Sequence, residues 1–494
     1  MTDDRGREDS GHRPVIVWMR RALRVQDNLA LSTAARGSGP VIPVVTLSSD
    51  ERYRDETPRR MFLRGAIANL DESLRSLGSR LFVLQGDPGH ELPALAARTG
   101  ASAVHAVRTY DPASRERDER ISRSLAGSGT EFALFKDAVI FEEREILAGG
   151  NAPYRVFTPY KRAWLERSPE IPRPLPPIRS LRSPGSVVGA TRLADIPGFA
   201  RADATGGETA ARRSMEKFIR SGLTTYGDRR DLMGVDGTSR LSQHLAVGTL
   251  SIRTLYHSVM DATAKADAEG RRQAGVYLSE LIWREFYSTI LFNYPHVIRG
   301  AFRPVFDRLS WSRSRAHRDA WCEGQTGYPI VDAAMRQLNT EGWMHNRARM
   351  IVASFLTKDL HIHWMHGERY FFDRLIDADI ASNNGGWQWT AGTGTDASPW
   401  FRIFNPIAQA RRFDPDGAYV RRYLPELAGV PGERIHEPWL MSASERQASG
   451  VVPGKTYPRP IVDHDAERKV TLEMFRAANL KPGPAGDPES ESRG

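Results

Sequence analysis

The sequence is poor in cysteine, in lysine and in long apolar runs. Cys322 is the one cysteine among 494 residues, which excludes an intramolecular disulfide framework and cysteine-based zinc or iron–sulfur sites and suits a reducing compartment. No apolar run approaches the roughly 18 residues of a membrane span. The N-terminus, MTDDRGREDSGHRP, lacks the apolar stretch of a signal peptide. These absences predict a cytoplasmic protein that spans no membrane.

The charge balance is basic and depends on arginine. Lysine and arginine together number 69 against 60 acidic residues, a net charge of +9, and only 8 of the 69 are lysines, which leaves 61 arginines. Such a balance is typical of a protein that binds a polyanion such as nucleic acid. A bias towards arginine across a whole proteome explains the composition equally well.

The first part of the chain alternates apolar runs with amphipathic stretches. The runs typical of buried strands are Val15–Trp18, Val41–Leu47, Leu81–Leu84 and Ala103–Val107. The stretches with apolar residues at helical spacing are Asn28–Arg36, Arg59–Leu77 and Leu92–Arg98. This alternation predicts an α/β domain with a parallel, doubly wound sheet. The turn after the first strand contains no glycine, so the usual dinucleotide fingerprint is absent there.

Composition divides the chain into five predicted regions. Residues 1–13 form a leader predicted to be disordered, 14–145 the α/β domain, 146–207 a linker rich in proline, serine and arginine, 208–465 an all-α domain, and 466–494 a disordered tail. Helical periodicity in the fourth region is clearest over Val276–Asn293, Ile330–Leu338 and Arg347–Leu360. The sequence therefore predicts an α/β domain followed by a helical one.

Tryptophan is concentrated in the helical region. Nine of the eleven tryptophans lie between Trp283 and Trp439. Tryptophan usually fills cores and interfaces, but so many rings interleaved with arginine also suit a site that stacks flat aromatic ligands or bases.

Two patterns that suggest ligands are better explained in other ways. Gly392–Ala397 matches G-x-G-x-x-A without a strand before it, and no P-loop motif occurs. His361, His363 and His366 do not have the spacing of zinc ligands on a helix, so we predict no metal.

Two polar segments remain as candidates. Thr238, Ser239 and Ser242 lie at a predicted helix start, which suits phosphate binding or an ordinary N-cap. Asp377 and Asp379 would need partners if buried. For these aspartates the predicted partner is Arg347 or Arg349, and a structural ion pair explains the spacing as well as a binding site does.

One helical face combines charge with aromatic rings. Glu280, Trp283, Arg284 and Tyr287 are spaced i, i+3, i+4 and i+7, so they share a face of a helix. A carboxylate, a guanidinium and two rings are unusual for a core stripe. We interpret this as a binding face, although a helix–helix seam could have the same pattern.

Taken together, these segments resemble a known family. The sequence is similar to the photolyase/cryptochrome flavoproteins, most closely class I cyclobutane pyrimidine dimer (CPD) DNA photolyases, in DGTSRLSQHLAVGTLS, ELIWREFY, TGYPIVDAAMRQLNTEGWMHNRARM, DADIASNNGGWQW and TGTDASPWFRIFNP. Its opening, VIVWMRRALRVQDNLAL, also resembles the start of the family's sequences. The resemblance extends from about Val15 to Val462.

The resemblance implies an all-α domain that binds FAD. The positions that match residues around the phosphates and the flavin ring are Tyr226, Thr238, Ser239, Arg240, Leu241, Ser242, Tyr277, Arg349, Asp377, Ala378, Asp379 and Asn383. Asn383 matches the position beside flavin N5, where asparagine favours the reduced, anionic flavin that repair requires. Tyr277 departs from the tryptophan that relatives often carry.

The resemblance also implies a pocket for damaged DNA. Glu280, Asn346 and Met350, together with Asn383, match catalytic positions. The positions that match DNA contacts are Glu280, Trp283, Arg284, Tyr287, Asn346, Arg347, Trp389, Arg402 and Gln409. Glu280 would hydrogen-bond a thymine carbonyl, and Trp283 and Trp389 would form aromatic walls. Trp387, Trp364 and Trp311 match a chain of tryptophans that carries electrons to oxidised flavin.

The N-terminal domain resembles the family's antenna domain, which implies a folate or deazaflavin chromophore. Two departures leave its identity open. The family's RDLR reads RALR at Arg21–Arg24, which removes a carboxylate, and VRTYDPASRERDE lacks a clear folate-binding glutamate pattern.

The resemblance predicts light-driven repair of CPDs by electron transfer from excited reduced FAD to a flipped-out dimer, in a monomeric cytoplasmic enzyme that associates with the nucleoid on DNA. The rival is a cryptochrome-type photoreceptor, disfavoured by Asn383. A (6-4) photoproduct enzyme is disfavoured because such enzymes place histidines at the positions of Asn346 and Met350. A DASH-type cryptochrome is disfavoured because it usually carries glutamine at the position of Met350. A plain flavin oxidoreductase is disfavoured because it would need a nicotinamide site, and the sequence shows none.

Overall fold

The computed structural model describes residues 12–47, 57–196, 199, 205–397, 399 and 401–480. The chain divides into two compact units. Unit 1 comprises Met1–Glu145, Trp164–Thr224 and Ser239–Leu278, and unit 2 comprises Ile146–Ala163, Thr225–Thr238 and Ser279–Gly494.

Unit 1 contains a sheet with the strand order β5-β4-β1-β2-β3-β6. The strands are β1 (Val15–Trp18), β2 (Val41–Leu47), β3 (Phe82–Gln85), β4 (Ala103–Val107), β5 (Glu131–Phe135) and β6 (Thr191–Arg192). The first five pair in parallel, and β6 pairs antiparallel with β3 at the edge. The predicted α/β class is confirmed, with one antiparallel edge strand added.

The α-helices, in chain order, are α1 (Leu29–Arg36), α2 (Pro58–Ser76), α3 (Pro88–Thr99), α4 (Pro112–Ala126), α5 (Phe157–Arg167), α6 (Glu208–Ser221), α7 (Tyr226–Arg229), α8 (Ser242–Val247), α9 (Ile252–Thr263), α10 (Ala268–Asn293), α11 (Arg315–Glu323), α12 (Pro329–Glu341), α13 (Asn346–Ser354), α14 (Trp364–Arg374), α15 (Ile380–Ala391), α16 (Pro406–Phe413), α17 (Ala418–Tyr423), α18 (Ala443–Ser449) and α19 (His464–Leu480).

Both faces of the sheet are covered because neighbouring strand residues point to opposite sides. Val17 and Val45 belong to the core that includes Leu31 of α1 and Leu70 of α2. The alternate strand residues pack with α3 and α4 in a second core, whose members include Ile16, Ile42, Leu92 and Ile121. The sheet is therefore doubly wound, as predicted.

Unit 2 is helical around one large core. Buried side chains of α12 to α15 form its centre, and they include Val331, Val352, Trp364 and Trp387. Several of these helices start at side-chain caps; Asp379, for example, accepts the N–H of Ser382 at the start of α15. Among the described residues, no helix combines the length and apolar character needed to cross a bilayer.

Most predicted elements are confirmed, and their differences have simple causes. The strands β1, β2 and β4 have the predicted bounds, whereas β3 begins one residue later than predicted. The predicted helix Arg347–Leu360 ends as α13 at Ser354 and continues as a π-helical turn over Phe355–Asp359. The edge strands β5 and β6 were both missed, and the two residues of β6 carry no periodicity.

Two predicted regions need correction. The segment 146–207 contains α5, although 171–190 has neither helix nor strand. The tail predicted to be disordered from 466 is helical to Leu480, because Phe475 and Ala478 of α19 pack against Phe306 and Leu309. Residues 1–11 of the leader and 481–494 of the tail lie outside the described residues.

Candidate functional site

The predicted binding face of α10 lies in unit 2. Helix α10 places Glu280, Trp283, Arg284 and Tyr287 on one side. The ring of Trp283 stacks on Phe157, with centroids 3.7 Å apart and planes 9° apart. The Trp283 and Tyr287 centroids are 5.4 Å apart. The four side chains of this face are half-buried, so the face packs against other residues and is also partly exposed to solvent.

Tyr287 is held by a close approach of α15. A Cβ atom on Gly385 would lie 2.2 Å from Cδ1 of Tyr287, so only glycine permits this contact. Burial, and then the nearby carboxylates of Glu280 and Asp396, raise the pKa of Tyr287. Its phenol is therefore neutral at physiological pH.

The carboxylate of Glu280 is paired within unit 2. Nη1 of Arg230 donates to Oε1 of Glu280 at 2.5 Å. Burial is the largest single influence and lowers the pKa of Arg230, but Glu280, Tyr226 and Asp231 together outweigh it, so the pKa is raised. The neighbouring residue, Asp231, accepts a hydrogen bond of 2.7 Å from Nη2 of Arg347. The dipeptide 230–231 therefore links α10 to the start of α13.

Helix α13 presents the other predicted lesion contacts. Nδ1 of His345 accepts the N–H of Arg347 at 3.1 Å and caps the helix. Asn346 is exposed and Met350 is half-buried one turn later, with Asn346 Nδ2 at 3.8 Å from the Met350 sulfur. The guanidinium of Arg347 lies 4.3 Å from the ring centroid of Phe413. An amide and a thioether are thus adjacent on one face.

The acidic segment before α15 has the partner that the sequence suggested. Nη2 of Arg349 donates to Oδ2 of Asp377 at 2.9 Å, while Arg347 pairs with Asp231 instead. The other Asp377 oxygen, Oδ1, is buried and has no hydrogen-bond partner among the described residues. A buried acceptor without a donor is costly unless a ligand or water supplies one.

Asn383 follows one turn into α15. Its Nδ2 donates to the backbone oxygen of Glu368 at 2.8 Å, which fixes the orientation of the amide. Ala378 and Asp379 lie between the ion pair and this asparagine, and Asp379 is the helix cap. Of the remaining predicted FAD positions, Tyr226 begins α7 and Thr238 is half-buried.

The segment 239–242, which the sequence predicts to bind phosphate, lies in unit 1. Arg240 has φ of 49°, in the left-handed region, which turns the backbone before α8. The Tyr277 hydroxyl donates to Ser239 Oγ at 3.2 Å, and that oxygen accepts the N–H of Leu241 at 3.4 Å. The predicted helix start is confirmed at Ser242, but α8 has only six residues.

The three tryptophans of the predicted electron chain lie in unit 2. Trp387 is buried and packs edge-on against Phe371, with centroids 5.0 Å apart. A Cβ atom on Gly367 of α14 would lie 2.0 Å from Cη2 of Trp387. Trp364 is buried and Trp311 half-buried. The indole N–H groups of Trp387 and Trp311 are buried without an acceptor in the described part of the chain.

The remaining predicted DNA contacts lie on α15, α16 and the segment between them. Trp389 is half-buried, Arg402 is exposed, and Gln409 has a buried Oε1 without a donor among the described residues. The backbone oxygen of Arg402 accepts a 3.0 Å hydrogen bond from the buried ammonium of Lys358. This contact ties an exposed segment to the core of unit 2.

The three histidines have other partners. Nε2 of His361 lies 2.9 Å from the hydroxyl of Thr471, and His363 accepts the N–H of Met365 as the cap of α14. His366 is exposed. In the described parts of the chain, no group of three histidine, cysteine or acidic residues is arranged to hold a metal ion.

Sequence reasoning missed Arg230, Asp231, Phe157 and Lys358. Each of these residues contacts a partner that is distant in sequence. For example, 50 positions separate Arg230 from Glu280. A charged pair after α7 and a lysine inside an apolar run carry no motif that predicts such partners.

Comparisons with known proteins agree with the fold. A family model described as DNA photolyase matches residues 15–179, and one described as the FAD binding domain of DNA photolyase matches 277–477. The deoxyribodipyrimidine photo-lyase of Halobacterium salinarum is 40% identical, over 94% of this chain and 99% of the relative.

Solved structures give the same result. A bacterial class III photolyase from Agrobacterium tumefaciens has a TM-score of 0.88 and 38% identity, and covers 96% of this chain and all of its own. A Synechocystis cryptochrome has a TM-score of 0.84 and 30% identity over 94% of this chain and all of its own. Because the first is a class III photolyase, the class I assignment stays a prediction. The chain belongs to the DNA photolyase family.

Proposed function

We propose that this chain repairs cyclobutane pyrimidine dimers in DNA under light, by electron transfer from reduced FAD to the dimer. Membership of the family supports an FAD-dependent photolyase that acts on DNA. The observation that carries the finer proposal is the linkage within unit 2. Glu280 is bound by Arg230, and Asp231 next to it binds Arg347, beside Asn346 and Met350.

The residues of unit 2 fit a flavin. The unpartnered, buried Oδ1 of Asp377 needs a donor, and the N–H and hydroxyl groups of FAD are such donors. Arg349 holds the other oxygen of Asp377, and the fixed amide of Asn383 can bond a ring nitrogen. For the 239–242 segment and Tyr277, phosphate binding stays a prediction from the resemblance. FAD, when bound, supplies the light-excited electron donor.

Glu280, Asn346 and Met350 are proposed to hold the damaged bases. A carboxyl and an amide can bond the carbonyl and N–H groups of two thymines, and the thioether packs against their rings. Arg230 keeps the Glu280 side chain in one orientation before DNA arrives. Pre-oriented polar groups stabilise the charge that develops on the dimer, as an oxyanion hole does.

Trp283 is proposed as one wall of the pocket for the extruded dimer. Its stacking on Phe157 fixes the ring plane, so little side-chain entropy is lost when a base packs against it. Extrusion of a base from the duplex is the general solution for enzymes that act on bases, and photolyases are a standard example of it.

An antenna chromophore of the folate or deazaflavin type is proposed for unit 1. In a sheet of this order the carboxyl ends of β1 and β4 flank the switch point, where ligands usually bind. Trp18 ends β1 there, with the Arg20 guanidinium 4.2 Å from its ring centroid and Asp118 paired to Arg20. Absorbance and mass spectrometry of chromophores released from purified protein test this assignment.

The decisive experiment uses an oligonucleotide with one thymine dimer. Chemically reduced, FAD-loaded protein is incubated with it in the dark and under blue light, and the dimer is quantified. We expect loss of the dimer only in light. Glu280→Gln should slow repair by about tenfold, because a neutral amide pairs less strongly with Arg230 and leaves the contact with the dimer less well oriented. The exposed Glu116→Gln is the matched control.

Two outcomes would overturn the proposal. Binding of the dimer without its loss in light would favour a photoreceptor of the cryptochrome kind, like the structural neighbour from Synechocystis. Repair of a (6-4) photoproduct instead of the CPD would show that the polar pair at Glu280 and Asn346 reads a different lesion.

A further inference from the structure

The loop after α15 is hydrogen-bonded to the start of α5. Oδ2 of Asp396 accepts the N–H of Phe157 at 2.9 Å, and the Thr395 hydroxyl donates to the backbone oxygen of Arg155 at 2.5 Å. The partners are 239 and 240 positions apart in sequence, so only the tertiary fold brings them together. All four residues belong to unit 2. The two bonds fix the backbone at the start of α5 relative to this loop.

Asp396 supplies an acceptor that the first turn of α5 lacks. Phe157 is the first residue of α5, and the N–H groups of a first helical turn have no acceptor within their own helix. A carboxylate at this end is also favoured by the helix dipole. Asp396 is exposed and has φ of 44°, in the left-handed region, which aspartate and asparagine tolerate better than most residues. The uncommon backbone conformation therefore belongs to a residue with a tertiary hydrogen bond.

The side chain of Phe157 extends this constraint to Trp283. The two rings stack with centroids 3.7 Å apart and planes 9° apart. Phe157 is buried and also packs edge-on against Phe286, with centroids 5.9 Å apart and planes 69° apart. Trp283 is half-buried, so part of its ring surface remains open to a ligand. The plane of the indole thus depends on where the start of α5 lies.

We propose that Asp396 is a positioning residue for lesion recognition, which acts through Phe157 to hold the Trp283 indole in the plane against which a base of the extruded dimer packs. The inference rests on the proposed function, in which Trp283 is one wall of the pocket. A ring that is already fixed loses little side-chain entropy when a base stacks on it. Asp396 therefore acts on the affinity for the dimer and leaves the photochemical step unchanged.

Substitution can separate the charge of Asp396 from its role as an acceptor. Asp396→Asn removes the charge but keeps an oxygen acceptor and tolerates a positive φ. Asp396→Gly removes both the charge and the acceptor, and glycine adopts a positive φ freely. Loss of a negative charge strengthens binding to the phosphates of any DNA, and it does so equally in both variants. The difference between the two variants therefore reports the hydrogen bond to Phe157.

The test compares the affinities of the FAD-loaded proteins for an oligonucleotide with one thymine dimer and for its undamaged counterpart, in the dark at one salt concentration. We expect Asp396→Gly to bind the dimer oligonucleotide about tenfold more weakly than Asp396→Asn does, which is the size of one base–aromatic stacking contact. The two variants should bind undamaged DNA equally and repair the dimer equally under light when DNA is saturating. A purely structural role would lower the affinity for both oligonucleotides. Equal affinities of the two variants for the dimer would overturn the inference.

A variant of Phe157 tests the route of the effect. Phe157→Leu keeps the backbone N–H but removes the stacked ring, so its preference for the dimer should fall by about the same factor. Adding Asp396→Gly to Phe157→Leu should then change little, because both substitutions act through one contact. An undiminished preference for the dimer in Phe157→Leu would contradict the inference, whatever the stability of Asp396→Gly.

A second readout needs neither DNA nor light. Near-ultraviolet circular dichroism reports fixed aromatic packing, and subtracting the spectrum of the matching Trp283→Phe protein isolates the signal of Trp283. We expect Asp396→Asn to keep this signal and Asp396→Gly to lose at least about half of it. An unchanged signal in Asp396→Gly would show that the hydrogen bond does not position the ring. Light-driven loss of the dimer with wild-type protein, measured in parallel, tests the proposed function separately.

Discussion

At the scale of single residues, helix α13 directs two of its arginines to different aspartates. In the folded chain, Arg349 pairs with Asp377 and Arg347 pairs with Asp231. The choice depends on α13, because residues two apart on a helix point to different sides. Sequence could name the candidates, but only tertiary packing could separate them.

Arg230 is the residue whose loss should reveal this pairing. In Arg230→Met the carboxylate of Glu280 loses its partner, so an uncompensated negative charge faces the DNA. We expect the affinity for dimer DNA to fall by about tenfold, about 1.4 kcal/mol. Fluorescence anisotropy at one fixed salt concentration measures it. Arg229→Met, an exposed neighbour, is the control. Equal affinities for the two variants would contradict the role of the pair.

Asp332 gives a residue-scale prediction for stability. It is fully buried, and its carboxylate accepts from Thr326 N–H, the Thr326 hydroxyl, Gly327 N–H and the Tyr457 hydroxyl. Asp332→Ala leaves these donors unpaired in the core. We expect the free energy of unfolding to fall by about 4 kcal/mol. Urea denaturation measures it, with the exposed Asp319→Ala as the control.

At the scale of elements, periodicity predicted what local sequence determines. The bounds of β1, β2 and β4 followed from apolar runs with polar flanks. Helix α19 was missed because its composition is charged and it follows a polar segment. Its apolar stripe, which includes Phe475, becomes visible only when Phe306 provides a surface for it. The π-helical turn after α13 has no sequence signature of its own.

The contact between α14 and α15 predicts opposite effects for two glycines. Gly367→Ala would push a methyl group into the ring of Trp387, whereas a Cβ on Gly386 would meet nothing within 4 Å. We expect the former to lose about 2 kcal/mol of stability. The latter should gain about 0.5–1 kcal/mol, because alanine favours a helix over glycine. Thermal unfolding of the cofactor-free variants tests both. A stable Gly367→Ala protein with unchanged tryptophan emission would show that the helices can separate at no cost.

The π-helical turn at the end of α13 predicts a pH dependence of stability. Burial lowers the pKa of Lys358 to about 8. Between this value and the ordinary lysine pKa, the unfolded chain binds a proton that the folded chain does not, so stability rises with pH. We expect wild type to gain about 2 kcal/mol more than Lys358→Met between pH 7.5 and 9.5. Guanidinium denaturation measures it, and the exposed Lys455→Met should behave as wild type. A parallel rise in all three proteins would assign the effect to other groups.

At the scale of the whole molecule, charge and lesion recognition separate into two measurable quantities. The net charge of +9 acts on any DNA through its phosphates, whereas Glu280 and Asn346 act on the bases. Arg402 is exposed on a segment tied to the core by Lys358, so it suits a phosphate contact. In Arg402→Gln, the slope of log Kd against log salt should shrink by about one for damaged and undamaged DNA alike. In Glu280→Gln, the slope should stay and the preference for the dimer should fall. If Arg402→Gln changed only the preference for the dimer, Arg402 would belong to the lesion pocket, and the basic charge of the chain would reach DNA through other arginines.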